Sequence, residues 1–401
     1  MALRLNRRVA AIKPSATMAA EARAIELRLQ GVDIISLAAG EPDFDTPERI
    51  KNAARRALEA GMTKYTPTSG TRQIKEAIQS KLKSENNLEY DLTEIVASAG
   101  GKQAAANVIG TLFDEGDEVI IPTPAWVSYS AMVALSGATP KLAATREEDG
   151  FLLSAEGLRR ALTPKTRGII INSPSNPTGA VYDADQLRAL SEVVLEAGLW
   201  LISDDVYEHM VYDGVAPHPI AANPRLKEQG IIVNSLSKTY AMTGWRIGFA
   251  AGPRELMNAM ARLQGQNSGN PSSISQAAAV EALTGPKDEL VTMMEEFRAR
   301  RSFVVERVRS LPGFALAQMP KGSFYVFPKV SALFGLKWKG GVLQSGDDVA
   351  DLLLSEARVA LVGGIDFGFP EYVRISYANS MANLKAAFDR IESALRALGA
   401  R

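Results

Sequence analysis

Gly230-Ile231-Ile232-Val233-Asn234-Ser235-Leu236-Ser237-Lys238-Thr239-Tyr240-Ala241-Met242-Thr243-Gly244-Trp245-Arg246-Ile247-Gly248-Phe249-Ala250-Ala251 is the stretch that decides the fold. Two apolar runs, Gly230–Ser235 and Ile247–Ala251, read as buried strands. Between them lie residues 236–246. A parallel return needs about a dozen residues or more, usually including a helix. Most of this connection is needed for a loop, so Ile247–Ala251 is predicted to run antiparallel to the strands around it. The loop holds one primary amine, Lys238, at the end of a core sheet, with the guanidinium of Arg246 eight positions on. A partly buried amine near a cation is one recipe for a nucleophilic lysine.

Outward from this stretch, short apolar runs alternate with helical segments. Candidate strands are Glu94–Ser98, Asp117–Pro122, Gly168–Asn172 and Leu199–Ser203. Asp185–Ala197 reads as a crossover helix, with Leu187, Leu190, Val193 and Val194 on one face. The alternation predicts an α/β domain with a mostly parallel central sheet, one antiparallel strand, and helices on both faces. A long helix is expected from Pro286 to Ser310. Beyond it, short strands (Gly322–Pro328, Val359–Val362, Tyr372–Tyr377) and a closing helix (Met381–Leu398) predict a smaller α+β domain. The expected division is a large domain over 46–300, and a small domain made of 1–45 plus 301–401. Residues 337–346 read as a surface loop.

Composition narrows the chemistry. The 401 residues carry 45 Lys plus Arg against 45 Asp plus Glu, so no basic footprint for nucleic acid exists. Cysteine is absent and there are two histidines, which excludes disulfides, thiolate chemistry and a multi-histidine metal site. No apolar run approaches the roughly 18 residues of a membrane helix. The N-terminal run is basic (Arg4, Arg7, Arg8, Lys13) but lacks the apolar core of a secretory signal, so a cytoplasmic location is expected. Lys, Asp, Tyr, Arg or a bound cofactor must then do any chemistry.

Each companion of Lys238 has a physical task available. Ser235, Ser237 and Arg246 suit a phosphate dianion. Ser98-Ala99-Gly100-Gly101-Lys102-Gln103 is a strand, a glycine turn and a helix start, whose amides favour an anion. Its spacing is neither a Rossmann fingerprint nor a Walker loop. Asp204 ends the apolar strand Leu199–Ser203, where open α/β sheets bind ligands, though a helix N-cap is an equal alternative. Tyr207 lies three residues on. Asn176, in Asn176-Pro177-Thr178-Gly179, and Trp126 follow two other strands. Arg374 sits inside the apolar strand Val373–Tyr377, where a buried guanidinium needs a partner, a substrate carboxylate being one option.

With these pieces in order, the sequence resembles the class I, fold-type I pyridoxal-phosphate aminotransferases, most closely the bacterial aspartate aminotransferase branch, some of whose members accept prephenate. The likeness runs from Lys13-Pro14-Ser15-Ala16-Thr17 and Ala38-Ala39-Gly40-Glu41-Pro42-Asp43-Phe44 to Arg374. It implies pyridoxal 5′-phosphate as cofactor, held by Lys238 as a Schiff base. It implies Asp204 on the pyridine nitrogen, Tyr207 and Asn176 on the phenolic oxygen, and Trp126 on the ring face. Ser235, Ser237, Arg246 and the Gly101, Lys102 and Gln103 amides are implied to hold the phosphate. Tyr65 is implied to reach that phosphate from the partner subunit of a homodimer. Arg374 is implied to clamp the substrate α-carboxylate beside the Gly40 backbone. Lys238 would move the Cα proton, and two half-reactions would pass an amino group from L-aspartate or L-glutamate to a 2-oxoacid, 2-oxoglutarate or oxaloacetate, with prephenate to arogenate as a further step.

One departure bears on specificity. Well-known aspartate aminotransferases carry an arginine just before an Asn-Pro to read the side-chain carboxylate, and the residues before Asn270-Pro271 here hold none. In the branch resembled, the lysine of the Gly-Gly-Lys turn takes that role, which falls to Lys102. Ser15 and Thr17 are implied to assist, and Lys13 is linked to prephenate. Alternatives remain: a β-lyase on the same scaffold, an aminotransferase-like ligand sensor, and an α/β binding protein in which Lys238 is structural.

Overall fold

The structure is a computed structural model, and it describes residues 5–10, 12–216 and 218–400. Arg4, at the start of the basic N-terminal run, lies outside them. Along the chain run β1 (Ile35–Ser36), β2 (Ile95–Ser98), β3 (Glu118–Thr123), β4 (Thr139–Ala144), β5 (Thr166–Asn172), β6 (Trp200–Asp204), β7 (Gly230–Ser235), β8 (Gly248–Ala251), β9 (Tyr325–Val326), β10 (Lys337–Trp338), β11 (Gly341–Val342), β12 (Val359–Ala360), β13 (Val362–Gly363) and β14 (Val373–Ser376).

Seven strands form the central sheet in the order β2-β8-β7-β6-β5-β3-β4. From β7 to β4 every neighbouring pair is parallel. β8 runs antiparallel to β7 and to β2, with Ser235 opposite Gly248. The expected reversal is therefore present. The 236–246 connection holds only the short helix Leu236–Thr239 and a single 3-10 turn, Thr243–Trp245. That is too little chain to cross the sheet.

Both faces of the sheet are covered, as the continuous apolar strands require. On one face Ile95, Ala97, Ile232 and Phe249 pack with Ile74 and Ala278 from helices Arg72–Asn86 and Ser273–Thr284. On the other, Val96, Ile121, Ile202 and Val233 pack with Val108 of helix Gly101–Leu112 and Met260 of helix Arg254–Asn267. The expected helix over 185–197 forms as Ala184–Glu196.

Two expectations at the element level need correction. β4 was not among the expected strands. It is an edge strand with only Ala143 buried, so it carries no apolar run to read. Residues 337–346 are not a plain loop: β10 and β11 form an antiparallel pair, Lys337 opposite Val342.

The C-terminal part builds a second core. Phe297 and Val304 of helix Asp288–Ser310, Leu384 and Phe388 of helix Met381–Ala397, and Val373 and Ile375 of β14 share one cluster. The expected strand over 359–362 is divided: β12 pairs with β1, and β13 with β14. No described helix is long and apolar enough to cross a membrane.

Candidate active site

The carboxyl ends of β2, β5, β6 and β7 meet the second core at a cleft of about 590 Å³. Lys238, Asp204, Tyr207, Asn176, Trp126, Gly101, Lys102, Ser235, Ser237, Arg246, Gly40, Thr17 and Arg374 all line it. These residues are far apart in sequence and are gathered here by the parallel sheet, whose strand ends all open on one edge.

Lys238 lies on the floor, in the short helix after β7. Its Nζ donates to the Gly40 carbonyl. Desolvation brings its pKa down to about 8, against the pull of Glu41, with Arg246, Arg374 and Lys102 adding repulsion. Asp204 ends β6, opposite Asn172 of β5. The Asn172 side-chain amide donates to the Asp204 carbonyl at 2.9 Å. Burial raises the Asp204 carboxyl to about 6, opposed by the donors Tyr129 and the Val206 amide. The Tyr129 hydroxyl donates to Asp204 Oδ2 at 2.6 Å. The sequence reading missed Tyr129. It lies in helix Ser128–Ser136, and its only advance signal was its place three residues after Trp126.

Around the Gly100 turn, Ser235 and Arg246 approach the start of the next helix. Gly100, with φ +93°, turns the chain into helix Gly101–Leu112. Ser235 Oγ donates to Ser237 Oγ at 2.8 Å. Arg246 is held by a bond from Nη1 to the Thr243 carbonyl at 2.7 Å. Its guanidinium passes so close to Gly100 that a Cβ there would lie 2.5 Å from Nη2. Gln103 sits in the first helical turn, but its side chain does not line the cleft: Oε1 accepts from the Ala99 amide at 2.5 Å, and Nε2 donates to Ser268.

The cleft also holds Arg374, 1% exposed. Nη2 donates to the Ala38 carbonyl at 2.6 Å and Nη1 to Asn176 Oδ1 at 3.1 Å, while Nε has no partner. Both hydrogen-bond partners are neutral, and among the described residues no carboxylate pairs with this buried guanidinium. The Tyr207 hydroxyl lies 2.9 Å from that of Tyr325, a second residue the sequence reading missed. Lys102 Nζ stands 5.1 Å over the Trp126 ring, with its pKa lowered by burial and then by Arg246.

Besides Gln103, three expected residues lie off the cleft. Ser15 reaches it only through Thr17, at 2.9 Å between hydroxyls. Lys13 is exposed in the segment before helix Ala16–Leu29. Tyr65 is 96% exposed, in the connection between helices Glu48–Glu59 and Arg72–Asn86.

The comparisons agree with this architecture. The sequence pattern of the family described as aminotransferase class I and II matches residues 32–391. A probable aspartate/prephenate aminotransferase of Rickettsia conorii is 46% identical over 394 residues, spanning 98% of each chain. The aspartate aminotransferase structure from Rhizobium meliloti aligns with TM-score 0.94 at 45% identity, covering 98% of this chain and 99% of the other. That from Thermus thermophilus with maleate aligns with TM-score 0.92 at 42% identity, covering 98% and 100%. With a match across most of its length, a mostly parallel sheet reversed at β8, and a buried lysine at the end of β7, this chain belongs to the class I and II aminotransferase family.

Proposed function

We propose that this protein is a pyridoxal 5′-phosphate-dependent aminotransferase that passes an amino group between L-aspartate or L-glutamate and a 2-oxoacid, with prephenate as a further acceptor. The observation that carries the reading is the placing of opposite functions along one cleft: an anion cradle, a buried carboxylate and an amine, and a guanidinium whose hydrogen-bond partners are neutral. This donor set fits the cofactor. The Gly100 turn leaves open the space that a Cβ would fill against Arg246, and the cleft takes a phosphorylated ring with a small acid beside it.

When bound, pyridoxal phosphate acts as the electron sink for the pair released at an amino acid Cα. The chain's own residues do the rest. Ser235, Ser237, Arg246 and the amides at Gly101–Gln103 hold the phosphate. Asp204, kept in place by Tyr129, accepts the proton-bearing ring nitrogen's hydrogen bond. Trp126 covers one ring face, and Tyr207 and Asn176 hold the phenolic oxygen. Arg374 would clamp the α-carboxylate and so hold the substrate Cα within the cleft that Lys238 also lines. Lys238 Nζ takes the Cα proton and returns it, and a pKa near neutrality suits both transfers.

Names borne by relatives support the substrate class, which include aspartate and prephenate. Lys102 is the proposed reader of the side-chain carboxylate, since it is a half-buried cation held over Trp126. Kinetics with a donor panel (aspartate, glutamate, tyrosine, alanine) against 2-oxoglutarate, oxaloacetate and prephenate test the whole reading. Pyruvate and ammonia released without an oxoacid acceptor would instead favour a lyase. Lys102→Ala is expected to cost aspartate about tenfold or more in kcat/KM relative to alanine. An unchanged preference would sink the assignment.

We further propose a cytoplasmic homodimer with shared sites, supported by Tyr65, which is exposed and outside its own cleft. We also propose that the chain works as two bodies, 46–300 and 1–45 with 301–401, connected through helix Asp288–Ser310.

A further inference from the structure

Tyr325 stands in the cleft without a role in the reading above. It is buried on β9, which pairs antiparallel with β14, Tyr325 opposite Ser376. Arg374 is two residues from Ser376 on the same strand. Alternation therefore puts Tyr325 and Arg374 on one face as diagonal neighbours. The Arg374 guanidinium accordingly lies 4.5 Å over the Tyr325 ring. At the far end of that ring, the hydroxyl lies 2.9 Å from the Tyr207 hydroxyl. The two rings meet edge to face at 5.9 Å. Gly40 makes room for this arrangement, because a Cβ there would lie 2.8 Å from the Tyr325 oxygen. Phe324 packs on the ring at 4.7 Å between centroids.

We propose that Tyr325 is a positioning residue that sets Tyr207 and Arg374 together: its hydroxyl directs the Tyr207 hydroxyl to the cofactor's phenolic oxygen, and its ring face fixes the guanidinium for the substrate carboxylate. The inference rests on the pyridoxal phosphate reading. A hydroxyl that accepts a hydrogen bond becomes a better donor itself. Tyr325 donating to the Tyr207 oxygen thus strengthens the bond that Tyr207 gives, and stabilises negative charge on the oxygen receiving it. Separately, the ring quadrupole attracts the guanidinium plane, so that in-plane N–H groups not taken by Ala38 and Asn176, that on Nε among them, stay available for a carboxylate.

Two readouts on the cofactor-loaded full chain test this: the pH midpoint of the cofactor's visible absorption, and the Kd of maleate, an unreactive dicarboxylate. Tyr325→Phe keeps the ring and loses the hydroxyl. It is expected to raise the midpoint by about 0.4 to 1 pH unit, with maleate Kd within about twofold of native. Tyr325→Leu loses both, and is expected to weaken maleate by about 3- to 30-fold as well. A Tyr325→Phe midpoint that coincides with native overturns the proposal, as does a Tyr325→Leu variant that binds maleate as tightly as native. Should Tyr325→Leu fail to fold, the Tyr325→Phe midpoint decides alone. A native chain that gains no visible band from pyridoxal phosphate defeats the functional reading itself, which is a different result from a native band left unmoved by Tyr325→Phe.

Discussion

At Asp204 and Lys238 burial moves proton affinity in opposite senses, because one group is charged when it loses its proton and the other when it gains one. The Asp204 carboxyl rises to about 6. Only its ionised form can pair with a protonated ring nitrogen. Cofactor affinity is therefore expected to fall below about pH 6, by up to about tenfold per pH unit. The fall should be absent in Asp204→Asn. Equilibrium titration of the cofactor-free protein between pH 5 and 8 checks this, and parallel curves for the two proteins would contradict it. Lys238 falls to about 8 from an ordinary 10.5. Between those values the folded chain binds fewer protons than the unfolded one, so stability rises with pH through that window. Lys238→Met lacks this term. The cofactor-free variant is expected to melt higher than native below pH 8, and the gap is expected to shrink toward pH 10.5. A gap that stays constant in thermal melts would remove the desolvated-amine account. At this scale the sequence disclosed residues that follow strands: Lys238, Asp204 and Asn176 each come just after an apolar run. Tyr129 and Tyr325 stayed hidden. Their partners, Asp204 and Tyr207, lie 75 and 118 residues away in sequence, and no local pattern marks such contacts.

Among the elements, the turn from β2 into helix Gly101–Leu112 is tightly constrained. Gly100 combines a left-handed φ of +93° with the Arg246 guanidinium where a side chain would go. Gly100→Ala is expected to push Arg246 off the cradle and raise the cofactor Kd about tenfold or more, as loss of a charge-assisted contact does. Secondary structure should be unchanged by circular dichroism, and an unaltered Kd would show that Arg246 does not bind the phosphate. A buried ionic group ties β7 to helix Arg72–Asn86. Glu208 accepts from Lys81, from Asn86 at 2.8 Å and from Asn234 of β7 at 2.5 Å. Glu208→Ala leaves the buried Lys81 ammonium with Asn86 Oδ1 at 2.6 Å and the Glu85 carboxylate at 3.7 Å, and is expected to lower stability by about 1–3 kcal/mol. Urea denaturation measures it, and a loss under about 1 kcal/mol would contradict it. Strands buried on both faces were legible, as was the reversal of β8. β4 was not, because an edge strand with one buried residue lacks an apolar run. Nor was the division of 359–362 between two sheets, since both pieces are equally apolar.

For the molecule as a whole, the proposed homodimer means that one chain does not complete its own site. Tyr65 is 96% exposed and does not line the cleft of its own chain. Mixing Lys238→Ala with Tyr65→Ala chains under conditions that exchange subunits creates one fully native site per hybrid dimer. Tight cofactor binding is therefore expected to return at half the hybrid sites, read by absorbance on the isolated hybrid. No recovery over the parent variants would defeat the shared-site proposal.

The sequence by itself determined the α/β class, the reversal of β8, the family resemblance and most of the residue types in the cleft. Each of these depends on local apolar period, connection length or motif, and those are written along the chain. Tertiary structure alone decided the strand order β2-β8-β7-β6-β5-β3-β4, the neutral hydrogen-bond partners of Arg374, and the contacts of Tyr129 with Asp204 and Tyr325 with Tyr207. These depend on which distant segments the sheet brings side by side, and on how far burial then strips water from the groups that meet there.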